Sequence, residues 1–158
     1  MTNLSRARLL AVIVPTLLLG GALASQYFGH LVPCEMCLWQ RWPHLAAILL
    51  ALTAIVLRGR PPASRAFTVA AALAIAASGA IGVFHAGVEW HWWSGLTRCS
   101  TTAVGGSPGD MLAQIMASPL IRCDQAQWRL AGLSLAGWNA ILSLGFASVI
   151  LWLTTRRP

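Results

Sequence analysis

Four apolar runs, each about long enough to cross a bilayer, take up most of this 158-residue chain, and nearly every charge falls between them. They cover residues 9–28, 38–57, 66–88 and 133–153. A helix of roughly 20 apolar residues spans the ~30 Å hydrocarbon core. Only 9% of the chain is charged and its mean hydropathy is +0.67, whereas soluble domains run near ~25% charged. The expected fold is all-α: an integral membrane four-helix bundle forming a single domain over residues 1–158. The connections are a short loop at 29–37, an arginine-rich turn at 58–65 and a long polar loop at 89–132.

Charge gives the orientation. The net charge of +7 comes from arginine alone. There is no basic stripe with interleaved aromatics, so the balance does not indicate nucleic acid. Arg6, Arg8, Arg58, Arg60, Arg65, Arg156 and Arg157 fall on one side of the spans, and Arg41, Arg98, Arg122 and Arg129 on the other. By the positive-inside rule both termini are expected in the cytoplasm. Most tryptophans, from Trp39 and Trp42 to Trp90, Trp92, Trp93, Trp128 and Trp138, cluster at the opposite interface, with Trp152 near the cytoplasmic one. Arg6, Arg8 and Ala22-Leu23-Ala24 also have the look of a signal peptide with a cleavage site. The apolar run exceeds the usual ~7–15 residues, so the first segment is read as a retained span.

Small residues within the spans, namely Gly20, Gly21, Gly79, Gly82 and the Ala-rich run at 70–77, suit close helix packing. In the long loop, residues 100–110 are rich in Gly, Ser and Thr, and Pro108-Gly109 favours a turn. Residues 111–116 are apolar on one helical face, as expected of a segment lying on the membrane or packed on the bundle.

The chemistry lies in the cysteines. Cys34-Glu-Met-Cys37 stands where the second span begins, a spacing that can hold a reversible disulfide. Arg41 follows Cys37 by four residues and His44 by seven, which puts the three in one stripe along a helix. A helix N-terminus and a guanidinium both favour a thiolate. Cys99 and Cys123 fall in the long loop and are candidates for a second disulfide. A zinc site would need a second closely spaced pair, which Cys99 and Cys123 do not provide, and no metal is expected. Purely structural disulfides remain the simpler alternative to redox work. All four cysteines would face an oxidising compartment, where disulfides persist. His85, Glu89 and His91 sit at the mouth of the third span, where they could relay protons released from thiols, although exposed loop histidines more often have no such role.

These residues carry a resemblance. Pro33-Cys34-Glu-Met-Cys37-Leu-Trp-Gln-Arg41-Trp-Pro resembles the signature of the disulfide bond formation protein B (DsbB) family. His85-Ala-Gly-Val-Glu89-Trp-His-Trp-Trp before Cys99, and Arg122-Cys123-Asp124 through Trp138-Asn139, are similar to further stretches of bacterial members. The resemblance implies a quinone-dependent, disulfide-generating oxidoreductase of the bacterial inner membrane with its redox sites facing the periplasm. Its partner would be a periplasmic thioredoxin-like thiol oxidase (DsbA-like) attacking Cys99. Electrons would pass through Cys123 to Cys34, and Cys37 would donate them to ubiquinone or menaquinone near Arg41, His44 and either His85 or His91. Gln40 stands where some relatives carry an acid before Arg41.

Two other readings compete. An enzyme like vitamin K epoxide reductase also pairs Cys-x-x-Cys with a quinone, but there the loop cysteines precede that motif and here they follow it. A non-enzymatic membrane scaffold or small transporter braced by disulfides is the other. The spans lack the broken helices and buried acids of a transporter.

Overall fold

A computed structural model describes residues 2–95 and 123–156. Cys99, the Gly/Ser/Thr-rich stretch 100–110 and the apolar segment 111–116 lie outside the described residues.

Each helix begins where a side chain can take up a free backbone N–H. Thr2 caps α1 (Asn3–Tyr27), its hydroxyl accepting from the Ser5 N–H at 3.2 Å. Cys34 caps α2 (Glu35–Val56), its sulfur accepting from the Cys37 N–H at 3.3 Å. After a 3₁₀ turn at Leu57–Gly59, α3 (Pro61–Glu89) opens on two prolines. The third helix thus starts five residues before the apolar run at 66, because a first turn tolerates proline, whose missing N–H would be unpaired there anyway. Ser134 caps α4 (Leu135–Thr155), accepting from the Gly137 N–H at 3.1 Å.

The fold departs from all-α at one point. β1 (Arg129–Leu130) and β2 (Leu133–Ser134) pair antiparallel, Arg129 opposite Ser134 and Leu130 opposite Leu133. Ala131 and Gly132 make the turn with φ of 51° and 82°, the left-handed pair that suits a tight hairpin. The fourth span therefore begins at Leu135 and not at residue 133.

All four helices are long and apolar enough to cross a membrane. α2 packs on α1 and α3, and α4 packs on α3 and α1, closing a four-helix ring. The ring is small inside and large outside. Ala7, Ala11, Ala47, Ala51, Ala71, Ala72 and Ala147 form much of the core, whereas Leu17, Leu49, Val56, Leu73 and Ile141 are exposed. This is the arrangement of a lipid-facing bundle, in which small interfacial residues let backbones approach.

The glycines divide accordingly. A Cβ on Gly82 would stand 3.0 Å from the Ala136 carbonyl and 3.1 Å from the Ala140 nitrogen, so α3 meets the backbone of α4 there. Gly79 likewise faces Ser143 and Leu144. Gly20 and Gly21, expected to serve the same purpose, have nothing within 4 Å of a Cβ. Gly82→Ala should therefore destabilise the bundle by about 1–3 kcal/mol, the usual range for overpacking. Gly145→Ala, also with open space, should be neutral or stabilising by up to ~1 kcal/mol through helix propensity. Reversible unfolding of the two variants in detergent checks the contrast.

Candidate active site

The cysteine end of the bundle is built by local caps and one long-range clamp. Because Cys34 is the N-cap of α2, its sulfur turns back over the first turn and meets the Cys37 sulfur at 2.8 Å. The two sulfurs are not joined by a disulfide in this structure. Cys34 is buried and Cys37 half-buried. The hydrogen bond to Cys37, then burial, push the Cys34 thiol well above its ordinary range.

Cys123 is half of a disulfide and is buried in the same small cluster as Cys34, Met36 and Val88. The segment that follows it is held against the segment before Cys34. Gln127 accepts from the Val32 N–H at 3.1 Å and donates to the Val32 carbonyl at 2.6 Å. A side-chain amide here imitates one rung of a strand ladder, linking position 127 to position 32.

His85 lies between the two cysteine segments. Its Nε2 is 3.6 Å from the Cys34 sulfur and 3.7 Å from Oε1 of Glu89 one turn on, and its ring hydrogen-bonds to the backbone of Cys123. Glu89 in turn accepts from the Ser134 hydroxyl and feels Arg129. The hairpin thus brings both Ser134 and Arg129 to the end of α3. The Cys34 and Cys37 sulfurs and a His85 ring nitrogen lie within 4.8 Å of one another, a spacing that a thiophilic ion can span.

Gln40 and His44 continue this polar line into the bundle. The Gln40 amide contacts His85 Nδ1 at 2.9 Å and the Met36 carbonyl at 3.1 Å. His44 Nε2 meets Asn139 Oδ1 and the Ser78 hydroxyl, each at 2.9 Å. His44 is therefore a buried, hydrogen-bonded member of the core.

Beside these groups is a cavity of about 470 Å³ between α1, α2 and α4. Leu17, Leu18, Leu135 and Leu142 give it an apolar wall, and Cys37, Arg41 and His44 stand in its lining as the stripe predicted. Arg41 does not snorkel alone. Its guanidinium donates to Gln26 Oε1 at 2.5 Å and to the Ala22 carbonyl at 3.3 Å, tying α2 to α1. Its Nε, like His44 Nδ1, is buried without a partner among the described residues.

Of the predicted site residues, Cys34, Cys37, Arg41, His44 and His85 line this one cavity. His91 is exposed just past the end of α3, with φ of 57°, and is not part of the lining. Cys99 lies outside the described residues. The sequence suggested no role for Ser78 or Gln127 and marked Asn139 only as the end of a stretch similar to bacterial members. For Ser78 and Asn139, a polar group within an apolar run was the available signal; Gln127 gave none.

The chain has relatives among known proteins. It is 28% identical over 149 residues to a "Disulfide bond formation protein B" of Hahella chejuensis, covering 89% of this chain and 87% of that one. A protein of the same description from Stutzerimonas stutzeri is 24% identical over 151 residues, 94% of this chain and 93% of the other. An uncharacterised protein of Rickettsia prowazekii is 22% identical over 139 residues, 86% and 79% of the two chains. No solved structure matches significantly. Residues 5–153 match the family described as disulfide bond formation protein DsbB, and with its four membrane-spanning helices and its Cys-x-x-Cys at the head of the second, the chain belongs to that family.

Proposed function

We propose that this protein reoxidises a periplasmic thioredoxin-like dithiol protein and passes the electrons through two cysteine pairs to a membrane quinone. The observation that carries the reading is the burial of disulfide-bonded Cys123 in one cluster with Cys34, beside an apolar cavity that Cys37 lines. Thiol–disulfide exchange needs an attacking sulfur close to the bond it breaks, and that cluster brings the two cysteine-bearing loops to one point.

The steps balance as exchanges. A partner thiolate bonds to Cys99 and displaces Cys123; the partner's second thiol then displaces Cys99, so the partner leaves oxidised. The Cys123 thiolate bonds to Cys34 and displaces Cys37. The Cys99 thiolate then bonds to Cys123 and displaces Cys34, which restores the Cys99–Cys123 disulfide. The reduced Cys34–Cys37 pair left behind would give its electron pair to a bound quinone. Each exchange moves one electron pair, and the net reaction converts a dithiol and a quinone to a disulfide and a quinol.

The cavity suits a quinone. Its walls are largely apolar, as expected of a pocket for a small membrane-soluble ligand, and the unpartnered Arg41 Nε–H is a donor that a carbonyl can use. The quinone, when bound, supplies a two-electron, two-proton acceptor. Arg41 and Cys37 would hold it, with His44 behind them. His85 and Glu89 lie on the thiol side.

The membrane is read as the bacterial inner membrane. The described arginines expected in the cytoplasm, Arg6, Arg8, Arg58, Arg60, Arg65 and Arg156, fall at the end of the bundle opposite Cys34, which supports that orientation.

Three outcomes are expected. Reporter fusions after Arg60 and Arg157 should read as cytoplasmic and one after Gly106 as periplasmic; a periplasmic signal at Arg157 overturns the orientation. Cys99→Ala should abolish oxidation of the partner, whereas Cys123→Ala should trap a mixed disulfide through Cys99, visible on a non-reducing gel. Equal activity in all four cysteine variants would leave the disulfides only structural. Arg41→Gln should raise the Michaelis constant for quinone by roughly tenfold, the effect of losing one good hydrogen bond of ~1.4 kcal/mol. Arg41→Lys should raise it less, since it keeps charge but loses the planar fork. An unchanged quinone dependence in Arg41→Gln would make Arg41 only a tie to α1.

A further inference from the structure

Two buried amides fix where the proton sits on His85. The Gln40 side-chain nitrogen is 3.1 Å from the Met36 carbonyl. A carbonyl can only accept, so the amide nitrogen must face it. The other end of the same amide agrees, because Gln40 Oε1 accepts from Asn139 Nδ2 at 2.8 Å. Asn139 is pinned in the same way, its nitrogen donating to the Ser78 carbonyl at 3.2 Å and its oxygen accepting from the Ser143 hydroxyl at 2.8 Å.

The Gln40 nitrogen also lies 2.9 Å from His85 Nδ1. It donates there, so Nδ1 is bare and the neutral ring carries its proton on Nε2. A proton on Nδ1 would set two N–H groups against each other at that distance. Nε2 is the atom 3.6 Å from the Cys34 sulfur.

We propose that Gln40, held by Asn139, is a positioning residue that locks the His85 proton on Nε2, where the Cys123 backbone and the Cys34 sulfur share it, so that His85 is a hydrogen-bond donor at Cys34 and not a base. The inference deepens the redox reading and rests on it for its chemical consequence. That consequence falls on the step that returns Cys34 from a mixed disulfide with Cys123. The Cys99 thiolate bonds to Cys123, the Cys123–Cys34 bond breaks, and its electron pair leaves on Cys34 with no proton transferred. A buried, high-pKa thiol is a poor leaving group. The Nε2–H, which the Cys123 backbone also engages, lies 3.6 Å from that sulfur and offsets this by stabilising the thiolate as it forms. The other charged or titratable groups facing the ring are Cys37 from α2 and Glu89 from α3, with Arg129 acting on Glu89. The same proton occupies the Nε2 lone pair that a metal shared with Cys34 and Cys37 would need.

The test is made on the full chain in detergent micelles with ¹⁵N-labelled histidine. Nitrogen resonances separate a protonated ring nitrogen from a bare one. His85 should show Nε2 protonated and Nδ1 bare, and Gln40→Glu should move a proton onto Nδ1. A wild-type His85 protonated on Nδ1, or a Gln40→Glu protein with Nδ1 still bare, overturns the proposal. The second arm is the steady-state rate from reduced partner to quinone. A Gln side chain reaches about as far as Nε2 and can donate, whereas Asn reaches only about as far as Nδ1. His85→Gln should stay within about threefold of wild type, and His85→Asn should fall roughly ten- to a hundredfold, the range for losing a hydrogen bond to a charged group. If His85→Gln falls as far as His85→Asn, His85 is a base and the proposal fails. A wild-type protein that passes no electrons to quinone would sink the redox reading, while the ring spectrum would still decide the position of the proton.

Discussion

Asn139 carries an amide into the middle of three helices, where lipid surrounds the bundle and no bulk water can pair with it. An unsatisfied polar group in that setting costs several kcal/mol, so its hydrogen bonds decide how the helices sit. Its nitrogen donates to Gln40 on α2 and to both the carbonyl and the hydroxyl of Ser78 on α3. Its oxygen accepts from His44 and from Ser143 one turn on. Any slide of α4 along α2 or α3 would break several of these at once. Gly82 lets the contact form, since a side chain there would press on Asn139 and on the α4 backbone.

From that point the geometry runs outward to the sulfurs. Gln40 lies one turn below Met36 and Cys37, so fixing its amide fixes the face of α2 on which Cys37 stands. On α3 the same amide reaches His85, and one turn further Glu89 meets the Ser134 hydroxyl that also caps α4. Arg41 adds the remaining wall by bonding to Gln26 and Ala22 on α1. The cavity is thus bounded by polar contacts at its edges and by leucines between them, and Cys34 and Cys37 stand in its lining.

The spans were legible because lipid imposes a simple rule, long apolar runs without charge, and the four runs became four helices. Their ends were less so. Pro61 and Pro62 look like a break in a sequence, yet they occupy the one turn of a helix that has no use for their missing N–H groups. Leu133 and Ser134 look like the start of a span, yet they pair with Arg129 and Leu130. The stripe of Cys37, Arg41 and His44 was legible too, because helical spacing alone puts them on one face. What spacing could not give was the partner of each. Arg41 was expected to act on Cys37 or on an acceptor, and its guanidinium is in addition engaged by α1. The meeting of Cys34 with His85, and of Gln40 with Asn139, joins residues 51 and 99 positions apart. No local pattern encodes such contacts; they follow from the order in which the helices pack.

Disulfide exchange requires three sulfurs nearly in line, a demand usually met by a folded soluble domain. Here the described segments at the cysteine end, 28–34 and 123–134, are too short to have a core of their own. Position is set instead by borrowing backbone groups: Cys34 by capping α2, Ser134 by capping α4, and the segment after Cys123 by the two bonds of Gln127 to Val32. Each of these uses a donor or acceptor that a helix end or loop leaves free, so the groups that satisfy the backbone are also the groups that aim the chemistry. The cysteine of a cap is the clearest case. The orientation that lets the Cys34 sulfur accept from the Cys37 N–H also holds it beside the Cys37 sulfur and within reach of His85.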